Sequence, residues 1–117
     1  MGQLTEEWRP VTVEPFCDYY EVSNLGRVRR SKRGLSTNVG FVLTPYCYEN
    51  YHFVHLYAEG KRQRHRIHTL VALAFLGPRP PKHEVDHVDH DPGNNNVQNL
   101  RWLHASINCK ARSRVSS

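Results

Sequence analysis

At 117 residues, with 16 Lys and Arg against 11 Asp and Glu and a formal net charge of +5, the chain has room for one domain or two very small ones around a modest core. It contains no 18-residue apolar run, and its first 20 residues lack the basic-then-apolar order of a secretion signal, so no membrane role and a cytoplasmic location are expected. Cys17, Cys47 and Cys109 are far apart with no CxxC spacing, which argues against a zinc ribbon or a disulfide framework and for a reducing compartment.

The charge is uneven. Residues 1–60 carry six basic and seven acidic groups, whereas residues 61–117 carry ten basic and four acidic, all four acids lying between Glu84 and Asp91. A basic surface with one acidic island suits a phosphate backbone and a bound cation; a plain solvated face is the alternative.

In chain order, Trp8, Val11, Val13 and Phe16 offer an apolar anchor. In DYYEVSNLGRVRRSKRG, Tyr20 and Val22 alternate with polar neighbours, Asn24-Leu25-Gly26 predicts a tight turn, and Val28 resumes the alternation. Arg27, Arg29, Arg30, Lys32 and Arg33 follow, either a phosphate-facing patch or a solvated one. Residues 41–48 and 51–57 read as two strands joined near Glu49 and Asn50. After a turn at Glu59-Gly60-Lys61, Arg62, Arg64 and Arg66 alternate along one strand, either as a positive ridge or as charges that protect a sheet edge. Residues 68–75, HTLVALAF, place Leu70, Val71, Ala74 and Phe75 at helical spacing and end at Gly77-Pro78, which predicts a short buried helix. His68 opens that helix as a structural group or a contact to the site. No exposed aromatic pattern for stacking unpaired bases is evident, which disfavours an RNA-directed role.

Residues 84–108, EVDHVDHDPGNNNVQNLRWLHASIN, concentrate the chemistry. Pro92, Gly93 and Asn94 to Asn96 predict a reversing loop, flanked by a strand carrying Asp86 and His87 and a return strand over residues 99–103. A weakly helical run from Ala105 would carry Asn108 back over the hairpin. Asp89 and Asp91 fit either a supporting shell around the site or loop caps. His83, His90 and His104 do not complete a zinc set with His87, since the only nearby sulfur is Cys109.

This stretch resembles the HNH nuclease family, in its phage and intron-encoded homing endonuclease form with a His-Asn-Asn pattern. The resemblance rests on Asp86-His87, the amide-rich loop, Asn99-Leu100-Arg101-Trp102 and Asn108; relatives often have glycine where His90 stands, and His90 could add a metal or phosphate contact. Trp8 with YYEVSNLGRVR resembles the small module found at the front of such nucleases, so the match spans roughly residues 8–110. It implies an α+β fold: a small mainly-β module with one helix, then a ββα-metal (His-Me finger) unit. The divisions expected are 1–60 for the module, 61–82 for the basic strand, helix and connector, 83–112 for the ββα unit and 113–117 for a disordered tail.

By this resemblance the activity is metal-dependent hydrolysis of a DNA phosphodiester, one strand per site, by a monomer or homodimer acting on double-stranded DNA. His87 is the general base, Asp86 and Asn108 hold one divalent cation (Mg²⁺ or Mn²⁺), Asn99 orders the loop and Arg101 clamps the phosphate. Asp89, His90, Asp91 and His68 are the candidates for a supporting shell, with a purely structural part as the alternative. Arg27, Arg29, Arg30, Lys32, Arg33, Lys61, Arg62, Arg64, Arg66, Lys110 and Arg112 grip DNA. A module that keeps the fold and binds DNA without cutting it is the alternative.

Overall fold

The computed structural model describes residues 5–31 and 39–107; Lys32, Arg33, Asn108, Lys110, Arg112 and the tail lie outside them. Strands β1 (Trp8–Pro10), β2 (Tyr20–Ser23) and β3 (Val28–Arg30) form an antiparallel sheet with β2 central. The alternation at Tyr20, Val22 and Val28 turns all three inward, because successive strand side chains point to opposite faces. Phe16, on a 3-10 turn between β1 and β2, is fully buried.

A second antiparallel sheet consists of β4 (Tyr46–Tyr48), β5 (Tyr51–Ala58) and β6 (Lys61–Arg66). The strand expected from residue 41 pairs with β5 only from Tyr46 onward. Upstream, Phe41 and Leu43 bond instead to Arg30 and Val28 on β3, and Pro45, which has no backbone N–H to give a ladder, stands at the change of sheet. Glu49, Asn50 and Glu59 adopt positive φ in the two hairpin turns, the conformation that matches the twist of paired strands.

Helix α1 (Ile67–Phe75) follows β6 directly and buries Ile67, His68, Leu70, Val71 and Ala72. Leu76 closes it with an N–H to the carbonyl of Ala72 at 2.8 Å. None of the described helices is long and apolar enough to cross a membrane. The final hairpin pairs β7 (His83–His87) with β8 (Leu100–His104), in a register that sets Asp86 opposite Arg101 and His87 opposite Leu100. The return strand begins at Leu100 because residues 97–99 form a 3-10 turn capped by the Asn96 side chain. Helical backbone starts at Ala105 and runs to Ile107, the last described residue.

One core joins these parts. Val11, Phe16, Tyr20, Val22 and Val28 pack with Val54, Leu56 and Ala58, with Ile67, Leu70 and Val71 of α1, and with Leu100 of the hairpin. The division expected after residue 60 falls in the β5–β6 turn, so it separates sequence motifs and not packing units. The result is an α+β fold: a β-rich module with one helix, followed by a strand-loop-strand unit leading into a helix.

Candidate active site

The loop from Val88 to Asn99 is built on Asp89. One carboxylate oxygen accepts from the backbone N–H of Asp91 at 2.8 Å and the Asn99 amide at 2.9 Å, and the other accepts from the Asn94 amide at 2.9 Å. Those donors, Asn94 first, hold the Asp89 carboxyl below its ordinary pKa, since bonds to the charged form favour it. Asn99 completes the knot: its Oδ1 accepts from Asp89 N–H at 3.0 Å and its amide also donates to the Asn94 carbonyl at 2.9 Å. Asp91 caps the next turn by accepting from Gly93 N–H at 3.0 Å. His90 is exposed with φ +64, a left-handed conformation that suits glycine better than a side chain with a Cβ.

His87 is buried, 8% exposed. Its Nε2 lies 2.9 Å from Oδ1 of Asn95, itself buried at 6%. An amide oxygen only accepts, so Nε2 is the donating nitrogen in this bond and Nδ1 is the ring nitrogen left for another partner. The ring stands edge-on to His68 with centroids 4.9 Å apart and lies 6.4 Å from the Tyr51 ring. His68 is a buried neighbour of His87, and burial above all, then the charges of His87, Arg66 and Arg79, lowers its pKa to about 3. It is therefore an uncharged wall at neutral pH.

Asp86, next to His87, has different partners, as adjacent strand residues should. Its side chain is 12% exposed and accepts a 2.9 Å bond from Arg101 Nε, directly across the hairpin. Among the described residues no group of three or more His, Cys, Asp and Glu could hold a metal. The Asp86 carboxylate is nevertheless a fitting start for a hard, oxygen-seeking cation that keeps water and phosphate as further ligands.

The structure sorts the arginines. Arg27 pairs with Glu6, lowering the glutamate pKa and raising its own. Arg29 bonds Glu21 at 2.8 Å and lies over the Trp8 ring. Arg30 is a correction to the expected DNA-facing set: it is 7% exposed and donates to the Tyr20 hydroxyl at 2.8 Å and the Tyr57 carbonyl at 3.1 Å. Arg62, Arg64 and Arg66 share one outward face of the second sheet, opposite Tyr57, His55 and Phe53. Arg64 lies over Phe53 and Arg66 over Tyr51, at 4.6 and 4.8 Å.

Aromatic side chains share that face: Tyr46, Tyr48, Tyr51, His55 and Tyr57 line it around a buried Phe53, with Tyr48 and Tyr57 half exposed. The strand alternation contained the signal, but only the cross-strand register gathers Tyr46 and Tyr48 with Tyr51 and Phe53. Asn95 was also missed as a direct partner of His87, because nothing in three consecutive asparagines marks the one that turns inward.

Residues 65–110 match the HNH endonuclease family, and residues 6–57 match the NUMOD4 motif. The chain belongs to the HNH endonuclease family. An uncharacterized HNH endonuclease of Acanthamoeba polyphaga mimivirus is 31% identical over 111 residues, 92% of this chain and 26% of that protein. The DNA endonuclease I-HmuI of Bacillus phage SP01 is 31% identical over 102 residues, 87% of this chain and 55% of that protein. A solved structure described as DNA binding and cleavage by the HNH homing endonuclease I-HmuI superposes with a TM-score of 0.77 at 30% identity, covering 94% of this chain and 59% of that one. The chain thus spans about a quarter to just over half the length of these curated relatives.

Proposed function

We propose that this HNH chain is a metal-dependent endonuclease that hydrolyses a phosphodiester bond of double-stranded DNA, cutting one strand per site. The observation that carries the reading is the His87–Asn95 bond, which occupies Nε2 of a buried imidazole and leaves Nδ1 as the nitrogen to accept a proton. Water attacks phosphorus as its proton passes to Nδ1, and the bond from phosphorus to the 3′ oxygen breaks. The departing oxygen takes a proton from solvent, leaving a 3′ hydroxyl and a 5′ phosphate.

Asp86, with Asn108, is the pair that would hold Mg²⁺ or Mn²⁺. When bound, such an ion supplies Lewis acidity toward the phosphate and stabilises charge on the leaving oxygen. Arg101, half exposed on Asp86, is free to swing to a phosphate oxygen. Asn99 acts by holding the loop, and Lys61, Arg62, Arg64 and Arg66 bind flanking phosphates. Aromatic rings beneath Arg64 and Arg66 hold their guanidinium groups in place at little further cost in side-chain entropy.

The test is conversion of supercoiled plasmid to open circle with and without Mg²⁺ or Mn²⁺, beside folded His87→Ala and Asp86→Ala proteins. Metal-dependent nicking lost in both variants supports the reading. DNA binding without cutting under any divalent ion would identify a grip-only module, and linear product at the earliest times would identify a working dimer.

A further inference from the structure

The Asn24-Leu25-Gly26 turn lies in the N-terminal motif, yet its contacts lead to the nuclease loop. Gly26 sits at φ +91, and a Cβ built on it would lie 3.0 Å from Asn95 Cβ and 3.1 Å from the Asn95 carbonyl oxygen. The backbones of the turn and the loop therefore touch with no room for a methyl group. Two residues further along the loop, Val97 N–H donates to the Asn24 carbonyl at 2.8 Å.

The turn is itself anchored. Ser23 and Asn24 are buried; Ser23 Oγ accepts from the N–H groups of Leu25 and Arg27, and the Asn24 side chain bonds Glu7 N–H at 2.8 Å and the Thr5 carbonyl at 3.0 Å. By contrast, the side-chain knot of Asp89 and Asn99 reaches Asp91 and Asn94 and stops short of Asn95.

We propose that the Asn24–Gly26 turn is a positioning element for the nuclease site: it seats Asn95, and Asn95 fixes the orientation and tautomer of His87. The proposal rests on the reading of His87 as the general base. It gives the N-terminal motif a part in the chemistry besides any contact with DNA. A Cβ at position 26 pushes Asn95 outward by tenths of an ångström, loosening the 2.9 Å bond and letting the Nδ1–H tautomer populate.

The experiment compares Gly26→Ala with Gly77→Ala. Gly77 has a similar φ of +97, but a Cβ there meets nothing within 4 Å, so it reproduces the backbone strain without the contact. Gly26→Asn carries the same Cβ and tolerates positive φ better, and it serves where the alanine protein does not fold. Two readouts are taken: ¹⁵N imidazole correlations of His87, and kcat and KM for plasmid nicking.

In folded Gly26 variants the Nε2–H signature is lost and kcat falls roughly 10- to 100-fold with KM within twofold, as expected for a misplaced catalytic group; Gly77→Ala keeps both. A wild-type imidazole signature in a folded Gly26 variant, with kcat matching Gly77→Ala, overturns the proposal. The two readings separate cleanly: if His87→Ala still nicks, the base assignment falls, while the imidazole signature alone still judges whether the turn orders His87.

Discussion

Arg101→Ala should tighten divalent-ion binding while slowing cleavage, two effects that a simple loss of fold would not combine. In the structure Arg101 occupies the carboxylate assigned to the cation, at 2.9 Å, with its own side chain 52% exposed and that of Asp86 12% exposed. With its arginine half exposed to water, the pair contributes about 0.5–1 kcal/mol. A cation that takes Asp86 must release that bond, so deleting the competitor strengthens binding by about two- to fivefold at 1.4 kcal/mol per tenfold. Cleavage moves the other way, because a cation positioned on the phosphate is removed; about 100-fold in kcat is the scale for losing one such group. Mn²⁺ titration of the DNA-free protein, followed by electron paramagnetic resonance, reads the first effect and plasmid nicking the second. Unchanged or weaker Mn²⁺ binding in a folded Arg101→Ala protein would show that Arg101 holds Asp86 in place for the ion and does not compete with it.

His68 makes stability depend on pH. Its folded pKa of about 3 lies below the 6.5 of a free imidazole, so between these values the unfolded chain binds a proton that the folded chain refuses, and stability falls as pH drops below about 6.5. At pH 5 this costs about 2 kcal/mol relative to pH 8, visible as a lower urea midpoint; a His68→Gln protein should lose this component, and an unchanged profile would refute the assignment. Replacing Arg62 and Arg64 by alanine should reduce the salt dependence of DNA binding by about one log-log unit per lost phosphate contact. Arg30→Met, by contrast, should leave the slope unchanged and lower thermal stability, because it removes the buried donor of the Tyr20 hydroxyl and Tyr57 carbonyl.

Much of the chain was legible because its signals are local. The alternation at Tyr20, Val22 and Val28, the helical spacing of Leu70 and Val71, and the Gly-Asn loop between Asp86 and Asn99 each depend on neighbours a few residues away. They specified the elements and the family pattern. Tertiary structure decided what the side chains do. Arg30 and Arg29 are adjacent and equally charged, yet the pleat turns one into the core and the other onto Trp8. Among Asn94, Asn95 and Asn96 composition makes no distinction; the first ties Asp89, the second holds His87 and the third caps a 3-10 turn. The Gly26–Asn95 contact joins positions 69 residues apart, and such long-range contacts are fixed only when the shared core closes. The sequence by itself determined the elements and the inventory of reactive groups; packing decided which base is oriented, which cations face outward and which turn stands behind the site.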